Sequence, residues 1–301
     1  MNNFTFYAPT MFAFGQGEAS RVGALVRQFG GSKVLLVAGG GSVKKNGAYD
    51  AVAASLKEAG FPWCELWGVQ ANPRSGKVYE GIDLARTEGV DFLLAIGGGS
   101  VIDTCKAIAH GAANPGTDIW EFWKRRAPLT RSMPVGVVLT IPAAGSETSD
   151  SAVLTNAEAG EKRGLNTPFN RPAFAILDPL LAATLPVHQV ACGVSDILMH
   201  TLDRYFNPVT DNDLTDELAE ALLRYHRGVT FLSGNTITPL IFNAFARVNL
   251  EFWSDYVHLE GIARSLHTLS RFTKLIEAGE GDAAAELLRQ GLERFRAALC
   301  Q

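Results

Sequence analysis

The amino-acid sequence predicts an α/β fold: a parallel sheet covered by helices, followed by an all-helical region. Three observations carry this. Short apolar runs alternate with helix-spaced segments through the first part of the chain, two of those runs end in triple glycines, and strand-like runs stop near Pro186. Such alternation marks successive βαβ units, whose strands lie parallel.

The elements follow in order. KVLLVAGGG (33–41) reads as a strand ending in glycines, and AYDAVAASLKEAG as the helix after it. WCELWGV is a second strand, KVYEGIDLARTEGV a second helix, and DFLLAIGGGS (91–100) a third strand running into a helix through VIDTCKAIAHGA. MPVGVVLTIP adds a further strand, and SAVLTN to FAILDP a β excursion with a loop at AEAGEKRG. Beyond Pro186 the apolar spacing is helical, as at Leu288, Leu292, Phe295 and Leu299, with Asp282 placed to cap that last helix. The expected organisation is therefore an α/β domain over 1–185 and a helical domain over 186–301.

Composition narrows the class. The 301 residues are 47% hydrophobic and 19% charged with a formal net charge of -4, so no basic excess points to nucleic acid. No window has the uninterrupted apolar length of a membrane span. The opening segment MNNFTFYAPTMFAFGQGEAS lacks the basic start and apolar core of a secretion signal. Cys64, Cys105, Cys192 and Cys300 are scattered without CxxC pairing and read as reduced thiols. A cytoplasmic location is expected.

The two glycine turns, AGGGS (38–42) and AIGGGS (95–100), are the first functional signal. Glycines beyond the carboxyl end of a parallel strand let backbone N–H groups approach an oxyanion, and the second turn also opens a helix. Two such turns favour a phosphate-bearing cofactor over bare tight turns, although neither fits GxGxxG. The second signal is GVSDILMHTLDRYF (193–206), which sets Asp196 and His200 one helical turn apart. That pair is either half of a metal site or a polar stripe on a helix.

GGGSVIDTCKAIA, TIPAAGSETSDSAVLTN, FAILDP and GVSDILMHTLDRYF together resemble the iron-containing alcohol dehydrogenase family over about residues 1–222. GGGSVKKNGAYD (39–50) is similar to its NADPH-preferring aldehyde-reductase and butanol-dehydrogenase branch. The resemblance implies an NAD(P)H-dependent alcohol dehydrogenase or aldehyde reductase, with a dinucleotide-binding domain over 1–185. It implies that Gly98, Gly99 and Ser100 wrap the pyrophosphate and that Asp103 lies at the nicotinamide end. It further implies nucleotide contacts from Asn72, Thr140, Ser149 and Lys162, and that Gly39, Gly40 and Ser42 face the adenosine ribose. NAD-preferring relatives carry an acidic residue at that first turn. Here glycines stand beside Lys44 and Lys45, so NADP is expected over NAD. Ala144 replaces a common threonine.

By the same resemblance Asp196 and His200 are the first two ligands of a divalent metal, iron or zinc, that polarises the substrate oxygen. The two histidines that complete the family's site have no counterpart at their usual places. His226, His258 and His267 are the only later histidines, and His267 is the expected rescuing ligand. Weak metal binding and slow or absent turnover of a small aldehyde or alcohol are expected. Residues from about 223 onward resemble part of the effector domain of fatty-acid-responsive GntR regulators, anchored on Gly228, Ser233, Gly234 and Asn235. The competing readings are a catalytically inactive NADP-binding module, and a helical tail that binds an acyl or small-acid effector. Neither membrane nor nucleic acid is an expected partner, and a homo-oligomer is open.

Overall fold

The computed structural model describes residues 7–205, together with 217–219, 221–222, 271, 274, 283, 286–287 and 290. The chain runs β1 (Met11–Phe14), α1 (Val22–Gln28), β2 (Val34–Ala38), α2 (Ser42–Lys45), α3 (Ala48–Glu58), β3 (Trp63–Leu66) and α4 (Ser75–Thr87). It continues with β4 (Phe92–Gly97), α5 (Gly99–Ala113), α6 (Ile119–Trp123) and β5 (Val135–Leu139). A hairpin of β6 (Ser151–Asn156) and β7 (Glu161–Asn166) precedes β8 (Phe174–Leu177), α7 (Pro179–Ala182) and α8 (Val187–Tyr205). The predicted α/β class is what the structure shows.

Six strands form one sheet in the order β1-β8-β5-β4-β2-β3, with every pair parallel. Strands β2, β4 and β5 are buried along their whole length, as strands covered on both faces must be. Their alternate residues build two cores. Leu35, Val37, Leu93, Ala95, Val135 and Val137 face helices α4, α5 and α6. Val34, Leu36, Phe92, Leu94, Ile96 and Phe174 face α1 and α3. From β2 the chain moves outward to β3, then returns past β2 to place β4 and β5 on the other side. The direction of winding therefore reverses between β2 and β4, and ligands of open parallel sheets collect at such a point.

Two details differ from the sequence expectation. The excursion after β5 is an antiparallel hairpin in which Ser151 to Asn156 pair with Asn166 to Glu161. Only the turn at 157–160 is a loop, so EKRG belongs to β7 and not to the predicted AEAGEKRG loop. Strand β1 was not anticipated; it lies at the sheet edge and leaves Phe12 and Phe14 exposed. The chain divides into compact units Asn2–Ile197 and Leu198–Gln301 with Met1. That division falls within α8, and the described residues after Pro186 are helical. Among the described residues no helix is long and apolar enough to cross a membrane.

Packing at Gly136 shows how tightly the sheet is filled. A Cβ there would lie 2.3 Å from Phe174 Cζ, and the Phe174 ring is pinned between Phe29 and Phe92, each 5.9 Å away between ring centroids. Gly136→Ala is expected to lower unfolding free energy by about 1–3 kcal/mol, read as a reduced denaturant midpoint at unchanged slope.

Candidate dinucleotide and metal sites

Both glycine turns flank the crevice between β2 and β4. Ala38 and Ile96 are paired just before them, so the two turns leave the sheet side by side. A Cβ on Gly40 or Gly41 would meet no heavy atom within 4 Å, whereas one on Gly98 would press to 3.2 Å from Ile141 Cβ. The first turn is therefore open above its backbone and the second is close-packed from the side. Gly98 caps α5 with extended backbone, φ -100° and ψ -169°, and its carbonyl accepts from the N–H groups of Val101 and Ile102. Gly99 and Ser100 open the helix itself. Helix α5 has 15 residues, and the amides of Gly99 and Ser100 at its start have no preceding helical carbonyl to donate to.

Thr140 sits at the end of β5 and its amide donates to Gly97 O at 3.0 Å, which brings it beside the second turn. Asn72 and Lys162, 90 residues apart in sequence, are joined by a 2.8 Å bond from Lys162 Nζ to Asn72 Oδ1. Asn72 occupies a left-handed conformation, φ 57°, a region that asparagine tolerates better than most residues. Two residues assigned separately to the nucleotide thus share one contact. A cavity of about 550 Å³ lined by Gly68, Arg74, Lys77 and Glu158 includes none of the glycines of the two turns.

The residue that organises this region was not singled out in the sequence. Lys106 on α5 is fully buried. Its Nζ donates to Ser146 O and Ser151 O at 2.8 Å, to Ser146 Oγ at 3.0 Å and to Ser149 O at 3.3 Å. Ser146 Oγ in turn donates to Asp103 Oδ1 at 2.6 Å, and Val153 N–H to Asp103 Oδ2 at 3.0 Å. Asp103, expected at the nicotinamide end, has both oxygens taken up in fixing the 146–153 segment to α5. Burial pushes the Asp103 carboxyl upward against the pull of Lys106, Ser146 and Val153. Burial likewise draws Lys106 down to about 8, against Asp103, Glu147 and Asp150, so it stays largely charged at neutral pH. Ser149, a predicted cofactor contact, lies on this same held segment.

Lys44 was expected to attract a 2′-phosphate. Its ammonium lies 4.3 Å from the Trp67 ring centroid and 5.0 Å from that of Tyr49. Glu65 accepts from Tyr49, Trp63 and Trp67 beneath it. Burial works to raise the Glu65 carboxyl, and these three donors with Lys44 overcome it, leaving it lowered. Lys45 is exposed and has no side-chain partner among the described residues.

Asp196 and His200 both lie on α8, as the sequence indicated, in the units Asn2–Ile197 and Leu198–Gln301 respectively. At Gly193 the helix passes so close to the loop after β5 that a Cβ would be 2.8 Å from Pro142 O. The first ligand candidate therefore stands three residues along α8 from where the helix meets the loop leading into the segment Lys106 holds. One carboxylate and one imidazole are donors suited to iron or zinc. Among the described residues no three His, Cys, Asp or Glu side chains gather as a metal cluster. His267, the expected rescuing ligand, and His226 and His258 lie outside the described residues.

The parallel sheet with glycine turns at its switch point is a doubly wound α/β fold. The sequence model of iron-containing alcohol dehydrogenases matches residues 9–179, and the chain belongs to that family. It is 42% identical over 224 residues to NADH-dependent butanol dehydrogenase A of Clostridium acetobutylicum, covering 74% of this chain and 57% of that protein. It is 38% identical over 225 residues to the NADPH-dependent aldehyde reductase YqhD of Escherichia coli, with the same two shares. The crystal structure of NADH-dependent butanol dehydrogenase A from Thermotoga maritima matches with a TM-score of 0.73 at 40% identity, covering 76% of this chain and 57% of that one. The chain thus spans about 57% of the length of these relatives.

Two outcomes test the site's construction. Lys106→Met strands several buried acceptors and is expected to cost about 3 kcal/mol or more. The folded chain sheds the Lys106 proton near pH 8, the unfolded chain near 10.5. Between those values the unfolded state binds more protons, so this group's contribution to stability rises with pH. The parent-to-variant gap in unfolding free energy should widen across that window. Gly98→Val crowds Ile141 and blocks backbone approach, and should weaken NADPH and NADH binding alike, by about tenfold or more, in a fluorescence titration.

Proposed function

We propose that this chain binds a nicotinamide dinucleotide, NADPH in preference to NADH, and carries the cofactor-binding half of an alcohol dehydrogenase or aldehyde reductase reaction. The observation that carries the reading is the pairing of two glycine turns at the sheet's switch point. When bound, the cofactor would supply or accept a hydride at a small alcohol or aldehyde. Gly98, Gly99 and Ser100 would present backbone amides to the pyrophosphate, with Thr140 beside them and Ser149 on the segment fixed by Lys106 and Asp103. Asn72 and Lys162 would act together at one contact with the nucleotide. Gly39, Gly40 and Ser42 would face the adenosine ribose without a competing carboxylate. Lys45 is the cation best free to meet a 2′-phosphate, because Lys44 is held over two aromatic rings.

The metal half is proposed as deficient. Asp196 and His200 alone would leave a divalent ion with most positions filled by water, weakly bound and poorly oriented for the substrate oxygen. A second reading, an NADP-binding module with little or no turnover, rests on the sequence, which has no histidines at the places where the family completes its metal site. For residues 223–301 we propose a helical effector-type segment, supported by the sequence pattern alone. A homo-oligomer is proposed on the exposed Phe12 and Phe14 of the edge strand.

The deciding experiment combines NADPH and NADH titrations with metal analysis and NADPH oxidation on a short aldehyde. Tight NADPH binding with little metal and slow turnover is expected; equal affinity for the two cofactors would contradict the NADP preference. Stoichiometric metal at Asp196 and His200 with ordinary aldehyde reduction would contradict the deficient site. Gly40→Asp is expected to fold normally, since its Cβ has open space, and to cut the NADPH-to-NADH affinity ratio by about tenfold through repulsion of the 2′-phosphate.

A further inference from the structure

Helix α8 carries a second pair of metal-ligating side chains, N-terminal to Asp196. His188, Cys192, Asp196 and His200 follow one another at intervals of four residues. The first two are exposed, and His188 Nε2 stands 3.6 Å from Cys192 Sγ. We propose that His188 and Cys192 form a two-residue chelate for a soft divalent cation of the zinc type, separate from the Asp196–His200 pair.

The geometry fits the ion. Zinc–sulfur bonds of about 2.3 Å and zinc–nitrogen bonds of about 2.0–2.1 Å, meeting at a tetrahedral angle, set sulfur and nitrogen about 3.5 Å apart. The observed separation of 3.6 Å, now a thiol–imidazole hydrogen-bond contact, matches that spacing, so an ion needs the imidazole to turn its nitrogen lone pair off the sulfur but needs no change in the distance between the two groups. On binding, the thiol releases its proton to water, the sulfur and the neutral imidazole nitrogen each donate a lone pair, and water fills the remaining positions. Thiolate and imidazole together select zinc-like ions over magnesium or calcium. The helix N-terminus disfavours a cation, but that effect is small beside a direct metal–thiolate bond. Both residues lie in the unit Asn2–Ile197, so the pair is complete within it. With two protein ligands the site is expected to exchange its ion readily and to admit an added ligand. The inference does not depend on the dehydrogenase reading, and it means that metal in the purified protein need not report on Asp196 and His200.

The test uses the full chain, reduced and stripped of metal, titrated with cadmium, whose bond to thiolate gives a near-ultraviolet charge-transfer band. The band is expected in the parent and lost in Cys192→Ser. His188→Ala should raise the cadmium needed for half-saturation at least about tenfold, a loss of about 1.4 kcal/mol, and Asp196→Asn with His200→Ala should leave the titration unchanged. A parent-like titration in Cys192→Ser or in His188→Ala would overturn the site, as would no band in the parent or loss of the band in the Asp196/His200 variant. Iodoacetamide labelling of Cys192 in the parent, which needs no variant to fold, should slow at least about tenfold with zinc present; unchanged labelling would overturn the chelate.

Discussion

A lysine ammonium sealed from water joins α5 to the segment between β5 and β6, and most of the candidate site's order depends on it. An unpaired buried charge is costly, so Lys106 is tolerable only while its donors are met. Ser146, Ser149 and Ser151 meet them with carbonyl oxygens, and Ser146 adds its hydroxyl. Those acceptors come from a segment whose otherwise irregular backbone would have little reason to lie against α5. The requirement is mutual: the cation needs the loop, and the loop takes its shape from the cation.

Other contacts extend from that join. Asp103 fixes both Ser146 and the start of the hairpin through Val153. Near the end of the hairpin's first strand, Arg74 bridges to Thr155, and Thr155 N–H donates to Pro73 O at 2.8 Å, which places Asn72 within reach of Lys162. On the other side, Gly193 lets α8 approach Pro142 O, so the helix that carries Asp196 packs against the loop leading into the same segment. The glycine turns, the Asn72–Lys162 contact and the first ligand candidate are thereby positioned by connected elements rather than independently.

The sequence made the sheet legible where burial was two-sided. Runs such as VLLVA and FLLAIG have no other plausible place than the middle of a parallel sheet. The glycine turns were legible because glycine at a strand's carboxyl end has a mechanism, not only a frequency. Strand β7 was not legible: Glu161 to Gly164 are polar and mostly exposed, and only Leu165 is buried, so no alternation announces it. Edge strand β1, four residues long, is too short for a pattern. Lys106 looks like a surface lysine on any helix, and only the tertiary fold reveals that the β5–β6 segment closes over it. Lys44 shows the converse, because its charge was visible in the sequence but its capture by Trp67 and Tyr49 was not. Asp196 and His200 were legible as a pair through their spacing, whereas His188 and Cys192 become a pair only once α8 is seen to start at Val187.

Under the proposed function, cofactor is held between the turn at Gly97–Ser100 and the segment that Lys106 fixes. Hydrogen–deuterium exchange of the full chain with and without saturating NADPH tests it most directly. Slowed exchange of amides in 97–102 and 145–151 together is expected, with little change in α1 and α3 on the opposite core. Protection confined to other parts of the chain, or none at either segment under conditions where NADPH is bound, would contradict it.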